Sequence, residues 1–335
     1  MGRDSPRYLP TQSLVEITAR TVGRRYLLLP NAALTLRILG ALGRSLALVP
    51  VELHAFAFMS NHWHALISAP HALASSRFVQ HVHAKITAAV RQIHGWEGKV
   101  FGKSSHSVVA PDSEENRLRY ILSQGAKEGL VASPLDWPGA HCARALAGLE
   151  TLQGVWIDSQ QAWSIQRGGS RTVGRKPLPA EIATVYPIDL QPLPSWAGLD
   201  LDARQARVCN MVREIEESAA KLHPFPLGRD GVLAKHPMDQ PERSTKRRRA
   251  PRIHTRDEAT RNVFDQARAV FVNEHRNASL DLRAKRPTQL PALCFPPTMP
   301  FQLESGVVWP RNADALELTP AGASPEDGNS ASKCS

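Results

Sequence analysis

Two histidines one residue apart, His62 and His64, sit in an apolar run, Phe58-Met59-Ser60-Asn61-His62-Trp63-His64-Ala65-Leu66-Ile67. Side chains on a β-strand alternate between faces, so both imidazoles share one face and Trp63 takes the other. Neutral imidazoles converging from one face suit a divalent metal ion. The plainer alternative is a hydrogen-bonded surface pair, and spacing alone does not choose between them.

A second group lies in Arg119-Tyr120-Ile121-Leu122-Ser123-Gln124. On a helix, Tyr120 and Gln124 stand at i and i+4 and project on the same face. A phenol is a nucleophile toward phosphorus when the phosphoryl group is polarised and its own proton is removed. Gln124 offers a carbonyl oxygen as a third, hard ligand beside two imidazoles. Such a mixed set suits Mg²⁺ or Mn²⁺, with Mn²⁺ better matched to imidazole. On spacing alone, Tyr120 also reads as a half-buried helix aromatic.

Other candidates fall away. His81-x-His83 lies in a helical stretch, where i and i+2 point to different faces. Gly102-Lys103-Ser104 would need a glycine at position 97 to form a phosphate loop, and Glu97 stands there. Trp137, Trp156, Trp163 and Trp196 could stack on bases, but packing is the commoner use.

The elements that must position these residues follow from periodicity. Residues 13–22 alternate as a half-buried strand. Asn31 is a helix N-cap ahead of Leu34, Ile38 and Leu42 over 31–44. Strands over 51–59 and 62–68 flank a Ser60-Asn61 turn. Phe78, Val82, Ile86 and Val90 recur every four residues in a helix over 72–94, and a short strand lies near 105–110. Asp112 or Ser113 caps the next helix, Glu114 and Glu115 suit its positive end, and Gly125 or Gly129 stops it. The order implies an α+β sandwich, helices on one face of a mainly antiparallel sheet.

Beyond residue 150 the pattern changes. Most of the 26 prolines lie after residue 131, and turn-rich segments at 167–179, 186–198, 223–241 and 286–300 break the chain. Helical patterns remain at 202–222 and 257–276. Between them, Lys246-Arg247-Arg248-Arg249 with Arg252 and Arg256 reads as a DNA-backbone contact or a basic arm. Residues 318–335 read as a disordered tail. The expected division is 10–150, 151–317 and 318–335.

Composition bounds the partners. The net charge is +10 over 335 residues, which favours a polyanion, and nucleic acid is the commonest one. Four scattered cysteines without a C-x-x-C pair argue against a zinc ribbon or a disulfide scaffold. With no apolar leader and no membrane-length run, a cytoplasmic protein is the expectation.

The two chemistry-bearing segments together resemble the single-tyrosine HUH transposases. Phe58–Ile67 resembles their "M-P-N-H-x-H-x-L-I" strand. Tyr120-Ile121-Leu122-Ser123-Gln124-Gly125-Ala126-Lys127-Glu128-Gly129-Leu130-Val131 resembles the tyrosine helix of the REP-associated branch, "Y-I-x-x-N-P-V-K/R-A-G-L-V". The opening strand, ending Ile17-Thr18-Ala19-Arg20, resembles the family's usual start. The likeness spans about residues 10–150, in the family's order. Ser60 replaces a usual proline and Gly125-Ala126 replace Pro-Val, departures that touch turns and packing.

The resemblance implies a ferredoxin-like fold with His62, His64 and Gln124 holding Mg²⁺ or Mn²⁺ and Tyr120 as nucleophile. REP-associated members usually carry asparagine where Gln124 stands. It implies cleavage of single-stranded, hairpin-bearing DNA through a 5′-phosphotyrosine link that a 3′-hydroxyl can reverse. Arg20 and Lys127 become candidate DNA contacts. Insertion-sequence relatives work as dimers, so a homodimer is one expectation. The rival reading is a domesticated DNA-binding protein that no longer cuts. A third, an unrelated metal hydrolase of the H-x-H type, would need acidic or histidine ligands that the chain does not present at useful spacing.

Overall fold

The computed structural model describes residues 7–168, 174–241 and 250–284. The expected basic run Lys246–Arg249, the turn-rich stretch 286–300 and the tail 318–335 lie outside the described residues, as do Cys294 and Cys334.

The N-terminal half runs β1 (Ser13–Arg20), α1 (Ala32–Leu48), β2 (Glu52–Met59), β3 (His62–Ala69), α2 (Ala72–His94), β4 (Ser105–Val109) and α3 (Glu114–Leu122). Strand order in the sheet is β2-β3-β1-β4, all neighbours antiparallel, which is the ferredoxin-like arrangement. Asn31 caps α1 as expected, its side chain accepting from the Leu34 amide, although α1 continues four residues past the predicted end. The Ser60-Asn61 turn joins β2 to β3 directly, pairing Met59 with His62 and so fixing which face the histidines take.

The sheet is covered on both sides. Helices α1 and α2 pack on the Trp63 face, where the Trp63 indole donates to His83 Nε2 on α2 at 3.1 Å and stacks on Phe58 at 5.1 Å. The histidine face is crossed by α3. Trp63, Phe56, Phe58 and Phe78 are the largest fully buried side chains among the described residues.

The later chain runs α4 (Ala143–Leu146), β5 (Gln153–Ile157), α5 (Ser159–Arg167), α6 (Pro179–Ile182), β6 (Ala183–Pro187), α7 (Leu201–Leu222), α8 (Gly228–Leu233), β7 (Ile253–His254) and α9 (Glu258–Arg283). The β5–β6 hairpin, absent from the sequence reading, packs on α1. Contact is so close that a Cβ on Gly154 would meet the Leu39 carbonyl oxygen at 2.1 Å. Strand β7 pairs parallel to β4, making the sheet mixed at that edge. Residues 140–142 bond to Phe56 and Phe58, covering the opposite edge at β2. Val208, Met211, Val212, Ile215 and Val232 join the same core as the sheet.

The start of α3 departs from expectation. Ser113 takes the N-cap position, but its side chain makes no capping bond. The Asp112 carboxylate instead accepts from Thr255 Oγ1 and from the Arg256 and Asp257 amides, anchoring the chain ahead of α9. Glu114 accepts from the Ser195 amide and Glu115 from the Trp196 indole and Arg207, while Arg119 pairs with Glu214. The acidic end of α3 is therefore the seat of the C-terminal elements, which fix the helix from outside.

Among the described residues, no helix is long and apolar enough to cross a membrane. Cys142 is buried and Cys209 exposed, both free.

Candidate active site

The sheet face under α3 carries His62 and His64 from β3, and Glu16, Thr18 and Arg20 from β1, since Thr18 is in register with His64 and Arg20 with His62. The chain brings Tyr120 and Gln124 onto them. The rings of His62 and His64 lie edge to face, 5.2 Å between centres, and Tyr120 lies 5.4 Å from His64.

Gln124 reaches the site by a different route from the one expected. Helix α3 ends at Leu122, and Gln124 occupies the turn behind it, its amide bonded to the Ile121 carbonyl at 3.2 Å. Gly125 at φ +88 turns the chain away; a Cβ there would be strained and would press on Trp137 at 3.0 Å. The Gln124 side chain folds back, donating from Nε2 to the Tyr120 carbonyl at 2.8 Å. That leaves Oε1 facing His62 Nε2 at 3.2 Å, with the residue only 1% exposed.

The hydrogen bonding defines what this constellation can hold. His62 Nδ1 lies 2.7 Å from Asn61 Oδ1, and Asn61 is oriented by its Nδ2, which donates to the Arg24 carbonyl. Burial first, then His64, Arg20 and Lys127, pushes the His62 imidazole down to about 3. A neutral imidazole has one hydrogen, yet this one faces two carbonyl oxygens. With the hydrogen on Nδ1, Nε2 and Gln124 Oε1 turn lone pairs toward each other. Adjacent ligands of an octahedral ion at about 2.1 Å stand about 3 Å apart, so the pair suits a hard divalent cation.

His64 completes the set. Its Nδ1 lies 3.1 Å from Glu16 Oε1 and 3.0 Å from Thr18 Oγ1. A carboxylate only accepts, so Nδ1 carries the hydrogen and Nε2 is free to ligate, as in carboxylate–histidine–metal triads. Among the described residues, no three His, Cys, Asp or Glu side chains converge as a metal site. Gln124 Oε1, 3.2 Å from His62 Nε2, is then the candidate third ligand.

Glu16 is the residue that sequence reasoning missed. It is 3% exposed and receives Arg117 at 2.6 Å and His254 at 2.9 Å as well as His64. Burial pushes its carboxyl up, but His254, His64 and Arg117 outweigh this and hold it well below the usual carboxylate range. The available signal was a charged residue at an inward position of β1, two residues from Thr18.

Positive charge surrounds the tyrosine. Lys127 Nζ lies 3.6 Å and the Arg117 guanidinium 4.1 Å from the ring centre of Tyr120. Arg20 is exposed at the end of β1 beside His62. The remaining sequence candidates lie elsewhere. His81 and His83 part as expected, His81 to Ser45 and His83 to Trp63. Trp137 and Trp196 are packed, donating to the Phe58 carbonyl and to Glu115.

No protein-family profile and no curated protein matches this chain. Solved structures do. One is a REP-associated tyrosine transposase bound to a REP hairpin, 20% identical with a TM-score of 0.36 over 44% of this chain and 88% of that one. Another is a candidate transposase from Deinococcus radiodurans R1, 17% identical with a TM-score of 0.26 over 37% and 98%. At these values neither bears on the chemistry of this chain, which rests on its own residues.

Proposed function

We propose that this chain is a metal-dependent single-stranded DNA endonuclease and strand transferase with Tyr120 as nucleophile. The observation that carries the reading is the convergence of His62, His64, Gln124 and Tyr120 on one sheet face, with Arg117 and Lys127 over the tyrosine. A structural tyrosine needs neither two metal-competent histidines nor two cations.

His62 Nε2, His64 Nε2 and Gln124 Oε1 would hold Mg²⁺ or Mn²⁺, and the ion would supply Lewis-acid polarisation of the phosphate. Glu16 keeps His64 in the ligating tautomer and Asn61 does the same for His62. Lys127 and Arg117 draw the scissile phosphate to the tyrosine and stabilise charge as it develops. The Tyr120 oxygen attacks phosphorus and the bond to the 3′ oxygen breaks, leaving a 5′-phosphotyrosine and a 3′-hydroxyl. The phenol loses a proton and the departing oxygen gains one. Attack by another 3′-hydroxyl reverses the step and joins strands, the phosphodiester energy having been kept in the tyrosyl link. The DNA is single-stranded and hairpin-bearing in this reading, and Arg20 is a further backbone contact.

The test is a labelled single-stranded hairpin oligonucleotide incubated with Mg²⁺ or Mn²⁺ and run on a denaturing gel. An SDS-resistant adduct is expected, absent with EDTA and absent in Tyr120→Phe. Binding without any adduct overturns the nuclease reading in favour of a non-cleaving DNA-binding protein. An adduct that survives Tyr120→Phe overturns the nucleophile.

A further inference from the structure

Beside His62, which lines it, lies a cavity of about 460 Å³. That is within the about 300–1,000 Å³ range of small-ligand pockets. Its walls come from two distant parts of the chain. The sheet domain supplies Arg20, Tyr26 and Met59; the later chain supplies Leu227, Val232 and Lys235. The lining is mainly apolar, with cations at Arg20, Arg24 and Lys235 and one carboxylate at Glu128.

The later wall is fastened in place. On one side, the Leu227 and Gly228 amides donate to the carbonyls of Gly129 and Leu130 at 2.8 and 3.0 Å, and His223 Nε2 meets the Lys127 carbonyl at 3.0 Å. On the other, the Tyr26 amide donates to the Asp239 carbonyl at 2.9 Å and Arg25 to the Met238 carbonyl at 2.6 Å. Residues 223–239 thus form a strap from the turn behind Tyr120 to the loop after β1. A strap held at both ends by hydrogen bonds gives the open cavity a fixed wall.

We propose that this cavity seats one unpaired nucleobase of the strand whose phosphate lies at Tyr120, making it a specificity subsite. A base brings a flat apolar face for Met59, Leu227 and Val232, and its own phosphates are the anions that Arg20, Arg24 and Lys235 attract. The same strand then touches His62 and the cavity at once, because His62 lines both. This inference rests on the single-stranded DNA reading above.

The experiment uses the full chain carrying Tyr120→Phe, so that binding is read without cleavage. Single strands carry 2-aminopurine or an abasic site at successive positions. One position is expected to show a fluorescence change, and removing that base weakens binding about tenfold. Leu227→Trp, filling the cavity from a partly exposed position, removes the fluorescence change and binds intact and abasic strands alike. Lys235→Glu is the second variant and should lose the same signal without adding bulk. An abasic penalty equal in wild type and Leu227→Trp at every position overturns the subsite. Free deoxynucleoside monophosphates binding as tightly as the strand also overturn it, since the site would then serve a mononucleotide. If no adduct ever forms but the position-specific signal and its loss in Leu227→Trp persist, the subsite stands and the nuclease reading fails.

Discussion

Glu16 Oε1 lies 3.1 Å from His64 Nδ1, joining neighbouring strands at a point where both side chains are buried. The contact fixes one imidazole nitrogen as donor and frees the other for a ligand. Glu16→Gln should therefore bind Mn²⁺ about 10–100-fold more weakly while remaining folded. Calorimetric titration of the metal measures it; unchanged affinity would remove Glu16 from the site. Glu16→Ala is the harsher change, leaving Arg117, His254 and His64 with no acceptor at all from residue 16, and should cost about 3–5 kcal/mol of stability.

Metal binding should be visible without any DNA. Because only the folded chain assembles His62, His64 and Gln124, Mn²⁺ at a hundred times its dissociation constant should add about 2.7 kcal/mol to stability. Thermal unfolding with Mn²⁺ or EDTA reads this. The gain should vanish in a His62→Ala, His64→Ala double variant, and a gain that persists there would place the ion elsewhere.

Lys127 lies over the Tyr120 ring and should act on phosphate. Lys127→Gln is expected to reduce single-strand affinity at low salt and to lower the salt slope of binding by about one. An unchanged slope would make its contact with Tyr120 purely structural.

His83 gives a pH signature to the other face of the sheet. It accepts from the Trp63 indole, and burial pushes its imidazole down to about 4. A folded value below the unfolded one means that the unfolded chain takes the proton first. The contribution is intact above about pH 6.5 and is lost as pH falls toward about 4, to a limit of about 3 kcal/mol. Urea midpoints for wild type and His83→Gln should converge over that window, the variant losing less on acidification. Parallel curves would show that other groups carry the acid sensitivity.

Gly154→Ala tests the hairpin's seat on α1. With the Leu39 carbonyl 2.1 Å from the added carbon, the hairpin must shift, at about 1–3 kcal/mol. Gly198→Ala, where the new carbon meets nothing within 4 Å, is the control.

Much of this architecture was legible in the residues. Alternation gave β1, the four-residue repeat gave α2, and the Ser60-Asn61 turn between two strand segments gave β2, β3 and the histidine face. Local rules sufficed because each depends on near neighbours. Gln124 was expected on the Tyr120 face through helical i+4 projection, whereas the helix ends at Leu122 and the side chain folds back to the Tyr120 carbonyl. Glu16 was invisible because its meaning lies in three partners from Arg117, His64 and His254, far apart in sequence. The acidic residues opening α3 looked like caps and dipole partners, but tertiary contacts with residues 195–257 claimed them. Strands β5 and β6 were missed because their stabilisation comes from α1 rather than from their own pattern.

The strap also has a meaning in time. Tyr120 leaves the ribosome about a hundred residues before the segment 223–239 that walls the cavity, and both histidines leave earlier still. A nascent chain, or a fragment ending before residue 223, would carry the nucleophile and the ligand set without the wall that we assign to strand selection. Discrimination between strands would then arrive later than the nucleophile and the ligand set as the protein is made.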